Sequence, residues 1–206
     1  MKFNNYCYKL FNYNLNNGFL DDSVDITYII TMDNSKERHE NIKNQLNILA
    51  PTKNIIVVYN SGFKKCEKKY FNKRIDISVE DLTYTYMYIF NDSKRYNRIL
   101  ILEDDFFLIK ENLKSKDKKN INNFLINNNP NIYYLGCVPY LINPLTLFSY
   151  NLNVMLDATT HSVIFNRKIR NRILNLYVKK KLKIFDIDIL TCFKIKNKFT
   201  YYKPIY

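Results

Sequence analysis

Three short runs of β-branched, aromatic and aliphatic residues constrain the fold most: Ile26-Thr27-Tyr28-Ile29-Ile30, Ile55-Ile56-Val57-Val58-Tyr59 and Ile99-Leu100-Ile101-Leu102. They lack a strict polar alternation, so each reads as a strand covered on both faces. Segments of helical period lie between them. After the first run, Asn34 is placed to cap a helix, with Glu37 completing a capping box. Behind it Ile42, Leu46, Leu49 and Ala50 form one apolar face, and Pro51 ends the helix. A second helix is expected over Val79 to Asn91, and Arg98 to Glu103 is the third strand.

The pattern continues to the end of the chain. Ile121, Phe124 and Leu125 suggest a helix before Pro130, and Ile132-Tyr133-Tyr134-Leu135 a strand that stops at Gly136. Val138 to Met155, polar-aromatic with two prolines, reads as loop. Ser162 to Phe165 is a strand, Ile169, Ile173, Leu176 and Tyr177 mark a helix, and Phe199 to Tyr202 adds a last strand. Alternating strands and helices predict an α/β fold with a mostly parallel central sheet. Ligands in such sheets bind beyond the carboxyl ends of the strands.

With 206 residues, 47% hydrophobic, and only 3 Gly and 5 Pro, the chain is long enough for one core and poor in linkers. A single domain over 1–206 is expected, with 1–24 as an N-terminal extension. The net charge is +13, which raises nucleic acid or an anionic surface as a partner. The lysines come with many Asn, Ile and Tyr, the mixture that AT-rich codons favour. A solvated basic surface is therefore the plain reading, and nucleic acid is not the expected partner. No apolar run approaches the roughly 20 residues of a membrane span, so no membrane span is expected. Cys7, Cys66, Cys137 and Cys192 show no paired spacing. With no visible signal segment, reduced thiols and a cytoplasmic location are expected.

Glu103-Asp104-Asp105 carries the chemistry. Three adjacent carboxylates at a strand's carboxyl end repel one another unless a cation or hydroxyl groups compensate them. Oxygen ligands of this kind suit Mn²⁺ or Mg²⁺ bridging to a diphosphate. The alternative is an acidic turn that only terminates the strand. Arg38 could pair with a phosphate, or be a surface charge. Asn60, just after the second strand, could touch a base or ribose. His161 could bind metal or acceptor, or be structural. Asp186 and Asp188, two apart, would share one side of an extended segment, or start a helix as an N-cap.

Several segments in order resemble glycosyltransferase family 25, which includes lipooligosaccharide and procollagen galactosyltransferases. Tyr28 to Arg38 is similar to the family's opening strand and its N-L-D-x-S-x-x-R turn, and Ile99 to Asp105 to its LILEDD segment. Thr159 to Ile164 resembles its T-x-H-A-Y-I strand, and Phe185-Asp186-Ile187-Asp188 its late V-D site. The family's Asn after the first strand is Thr31 here, and its Ser-His pair is Thr83-Tyr84. The resemblance implies an A-type nucleotide-diphosphosugar transferase fold, a UDP-sugar donor, Mn²⁺ and inversion. It implies donor contacts from Thr31, Met32, Asp33, Arg38, Asn60, Glu103 and Asp104. Metal ligation would fall to Asp105 with Glu103 and His161, and the base to Asp186 with Asp188 in reserve. The expected activity is a hexosyl transfer from a UDP-sugar to a glycan or protein hydroxyl. The rival readings are a metal-dependent nucleotidyltransferase and a degenerate, non-catalytic domain that binds glycans or nucleic acid.

Overall fold

The structure is a computed structural model that describes residues 3–182 and 186–206; side chains at 158–160, 192 and 193 also lie outside the description. Of the sequence readings, Phe185, Thr159, Thr160 and Cys192 fall there. The described elements are β1 (Tyr8–Asn14), β2 (Ile26–Met32), α1 (Lys36–Ile48), β3 (Asn54–Asn60), a minor hairpin of β4 (Lys69–Tyr70) and β5 (Lys73–Arg74), α2 (Ser78–Asp92) and β6 (Arg98–Glu103). They continue with α3 (Ser115–Asn128), β7 (Ile132–Ile142), β8 (Asn151–Asn166), α4 (Arg167–Val178), α5 (Ile187–Lys194) and β9 (Lys198–Tyr201).

One seven-stranded sheet runs in the order β1-β3-β2-β6-β8-β7-β9. The apolar runs pack as expected, because alternate residues of each serve opposite faces. Tyr28, Ile30, Ile99, Ile101, Tyr134, Val163 and Phe165 lie in one core with residues of α2, α4 and α5. Ile29, Leu100, Leu102, Tyr133, Leu135 and Ile164 lie in the other with residues of α1 and α3. The result is an α/β fold in three layers.

The sheet is mixed, which corrects the expectation of a mostly parallel one. β3, β2 and β6 are parallel neighbours, but β8 runs antiparallel to both β6 and β7, and β1 antiparallel to β3. The physical reason is the segment from Val138 to Met155, whose two ends are strand around a turn at 143–150 rather than loop throughout. β7 continues past Gly136 to Ile142 and returns as the long β8, and a direct return of this kind is antiparallel. Pro139 is tolerated because the pairing shifts register there.

Within the expected 1–24 extension, the described residues belong to the fold. β1 pairs along its length with β3, and Leu20 and Val24 are buried. Two local readings also change. Helix α1 is preceded by Ser35 with no side-chain cap bond, so the Asn34–Glu37 box does not form; Asn34 sits in the turn closed by Ser35 N–H donating to Met32 O (3.2 Å). The helix ends at Ile48, before Pro51, which frees Ala50 and Pro51 carbonyls to accept from Phe19 and Leu20. Among the described residues no helix is long and apolar enough to cross a membrane.

Candidate functional site

The parallel register assembles the site. Met32 lies opposite Asn60, and Ile30 opposite Glu103, so the carboxyl ends of β2, β3 and β6 stand side by side. On the next strand Leu102 is registered with Ser162, which leaves His161 at the level of Glu103. The acidic motif therefore sits between two cavities. One, of 430 Å³, is bounded by Thr31, Met32, Asn60, the loop from Ser61 to Lys65, Asp81, Glu103 and Asp104. The other, of 490 Å³, is bounded by Asp105, Phe106, Phe107, Gly136, His161 and Tyr206. Gly136 is required there, since a Cβ would overlap the Tyr206 carbonyl.

The three carboxylates are handled differently. Asp104 is held toward β2 and α1: the Thr31 hydroxyl donates to its Oδ2 (2.6 Å), and Arg38 Nε stands 4.0 Å from its Oδ1. Asn41 Nδ2 donates to the backbone carbonyls of Asp104 (3.1 Å) and Phe106 (3.2 Å). These contacts fix the turn after β6. Arg38 thus meets the acidic motif and not only solvent. Asp33 lies in the adjoining turn, 3.7 Å from Lys65 Nζ, and its backbone N–H donates to Asn60 O (3.0 Å).

Glu103 and Asp105 turn toward His161, whose Nδ1 is 3.8 Å from Glu103 Oε2 and 3.7 Å from Asp105 Oδ1. Burial pushes the Glu103 carboxyl up to about 7; His161 opposes that, while Asp188, Asp105 and Asp104 add to it. Burial of this kind favours the protonated form of the carboxyl. Asp186 and Asp188 do not lie in an extended segment. Asp186 is the N-cap of α5, its Oδ1 accepting from Asp188 N–H (2.9 Å) and Ile189 N–H (3.1 Å). Asp188 sits in the first turn, and its charge reaches Glu103. Of the two, Asp188 is the one that faces the motif electrostatically.

Asn60 is buried, and its amide is committed to the protein. Its Nδ2 donates to Asp81 Oδ2 (3.1 Å) and Thr85 Oγ1 (3.2 Å), and its Oδ1 accepts from Gly62 N–H (2.8 Å) and Lys68 Nζ (2.5 Å). Lys68 is fully buried and ion-paired with Asp81. Burial pulls its ammonium below the ordinary range, and the bonded Asp81 carboxylate opposes that. This network anchors the loop that walls the first cavity. Gly62 makes the turn with φ +73°, which a side chain would strain. Cys7 and Cys66 are joined by a disulfide across a Cα–Cα distance of 5.6 Å. That corrects the expectation of reduced thiols for this pair and removes the cysteine argument for a reducing compartment. Their separation of 59 residues offered no cue; β1 and the loop after β3 bring them together.

Sequence reasoning missed Lys68, Asp81 and Asn41. Lys68 stands in Lys64-Lys65-Cys66-Glu67-Lys68-Lys69, where nothing local separates a buried lysine from solvated neighbours. Among the described residues no group of three His, Cys, Asp or Glu side chains is gathered as a ready metal site. Thr83 and Tyr84 are buried in α2. No protein-family model matches the chain and no curated protein is significantly similar to it, so the functional argument rests on these residues themselves.

Proposed function

We propose that this protein is a glycosyltransferase of the A-type fold, resembling family 25, that moves a sugar from a UDP-sugar to a hydroxyl acceptor with inversion. The observation that carries this reading is the placement of Glu103-Asp104-Asp105 at the end of β6, between two cavities, with Glu103 desolvated and His161 opposite. The cavity beside β2 and β3 takes the donor, with Thr31, Met32 and Asn34 along its edge and Lys64 and Lys65 supplying positive charge; Asp33 stands in the adjoining turn. The cavity beyond Asp105 takes the acceptor.

Glu103, Asp105 and His161 fit a divalent cation in the kind of donor they offer, oxygen and imidazole nitrogen. Asp105 and His161 are 43% and 49% exposed, so their side chains are free enough to rotate inward. Mn²⁺ or Mg²⁺ held there would neutralise charge on the departing diphosphate. The protein's own groups do the rest. Asp188 accepts the proton of the acceptor hydroxyl as its oxygen bonds to the anomeric carbon and the bond to the diphosphate oxygen breaks. Asp188 is favoured over Asp186 because its charge reaches Glu103 in the acidic motif.

A thermal-shift panel of UDP-, GDP- and CDP-sugars and plain nucleotides, with and without Mn²⁺, tests the reading. A ligand that binds only the folded state raises its stability by mass action. UDP-sugars are expected to stabilise the protein mainly with the cation, and Asp105→Asn to remove most of that gain while leaving the ligand-free melting temperature near wild type. Preference for nucleoside triphosphates would favour a nucleotidyltransferase. No response to any nucleotide would end the enzymatic reading.

A further inference from the structure

The chain from 138 to 156 carries no charged side chain, although a quarter of the whole sequence is charged. In the fold this stretch is the end of β7, the turn after it and the start of β8. Although Val154 is buried, most of the large side chains around the turn are open: Leu145 is 92% exposed and Phe148 is fully exposed, with Leu147, Tyr140 and Met155 also exposed. A cluster of exposed apolar side chains like this marks an interaction surface. The turn is internally tied. Asn143 Oδ1 accepts from Leu145 N–H (3.1 Å), and the N–H groups of Thr146, Leu147 and Ser149 donate to Asn143, Pro144 and Thr146 carbonyls. Thr146 Oγ1 accepts from Asn153 N–H (3.0 Å). The tip thus presents apolar side chains over a backbone in which the N–H groups of Leu145, Thr146, Leu147 and Ser149 are already paired, which lowers the cost of entering an apolar medium.

The flank of this tip is basic and aromatic. Lys116 Nζ donates to Tyr150 Oη (2.9 Å) and lies 5.0 Å from the centre of its ring. The Tyr150 and Tyr202 rings are 5.5 Å apart, and Lys203 Nζ lies 5.1 Å from the Tyr202 ring. Lys114, Lys116, Lys118 and Lys119 crowd the start of α3, where the helix dipole disfavours cations. The nearby Asp117 is already neutralised by Lys203. An apolar point within a collar of tyrosines and lysines matches the interface of a bilayer, with rings at the headgroups and ammonium groups on anionic phosphates.

We propose that the tip around Leu145 to Phe148 docks this protein on an anionic membrane surface, with Lys114 and Lys116 supplying the electrostatic part. The inference is independent of the transferase reading, since it requires no catalysis. Co-sedimentation with phosphatidylcholine vesicles, with and without phosphatidylglycerol, tests it. Wild type is expected to bind the anionic vesicles, and less so as salt is raised. Leu145→Ser with Phe148→Ser should weaken binding by about ten-fold or more, with an unchanged melting temperature because both side chains are in solvent. Lys114→Gln with Lys116→Gln should lose about five-fold per lysine, while Lys168→Gln with Arg172→Gln on α4, across the sheet, should change little. Three results overturn the proposal: no binding to anionic vesicles, an equal loss from the α4 pair, or a tip variant that binds as wild type. A self-association seen by sedimentation velocity and abolished by the tip variant, without vesicle binding, would assign the surface to a second copy instead.

Discussion

Among the described carboxyl groups, Glu103 is the one whose ionisation is most displaced by its surroundings. Its carboxyl is raised from 4.5 to about 7, chiefly by burial and further by Asp188, Asp105 and Asp104, against the opposing effect of His161. Between those values the folded protein retains a proton that the unfolded chain has released, so stability falls as pH rises through this window. Glu103→Gln cannot ionise and escapes the penalty. Its stability advantage should therefore open from about pH 5 and reach on the order of 2 kcal/mol by about pH 8, read by urea unfolding at both values. An equal difference at the two pH values would show that the carboxyl titrates normally. Asp186 and Asp188 separate just as sharply. Asp186→Ala should cost about 1 kcal/mol of stability as a lost N-cap, whereas Asp188→Asn should lower turnover by about 10²–10⁴-fold with little effect on donor KM. Slow UDP-sugar hydrolysis serves as the assay; wild-type turnover in the Asp188 variant would remove it as the base. The Phe185-to-Asp188 stretch could not reveal this division, because a helix start and an extended segment share the same four letters.

At the scale of elements, the loop after β3 and the start of α2 depend on one another through Lys68, Asp81 and Asn60. Removing one member of a buried charged pair leaves the other desolvated without a partner. Lys68→Met should therefore destabilise the protein by about 3–5 kcal/mol, and adding Asp81→Leu should recover part of that loss. Denaturant midpoints of the two variants decide it: a double variant worse than the single one would mean the pair is not coupled. The acidic motif is different in kind. β6 was readable to the residue because its four aliphatic side chains end abruptly in three carboxylates. The strand pair β7 and β8 was not, because Asn and Pro within Val138 to Met155 carry turn preferences that long-range pairing overrides.

For the whole molecule, the disulfide between Cys7 and Cys66 ties the edge strand to the wall of the first cavity. Closing a loop of 59 residues restricts the unfolded chain by an amount worth about 4 kcal/mol in the chain-entropy treatment. Cys7→Ser, or a reductant on the wild type, should lower stability toward that limit and loosen the cavity. Thiol titration of the denatured protein should find the pair oxidised before reduction. Equal melting temperatures with and without reductant would show that the bridge does not constrain the unfolded state.

By itself the sequence determined the existence of the central strands, the helices between them, and a carboxylate cluster at a strand's carboxyl end. These follow from local periodicity and from the cost of placing like charges together, which neighbouring residues alone express. Tertiary structure decided the direction of β8, the inclusion of 8–14 in the sheet, the disulfide, and the burial of Lys68. It also decided which carboxylates meet His161 and which one is turned aside to Thr31. Each of those depends on partners dozens of residues apart, whose pairing energy exceeds any local preference and leaves no local trace.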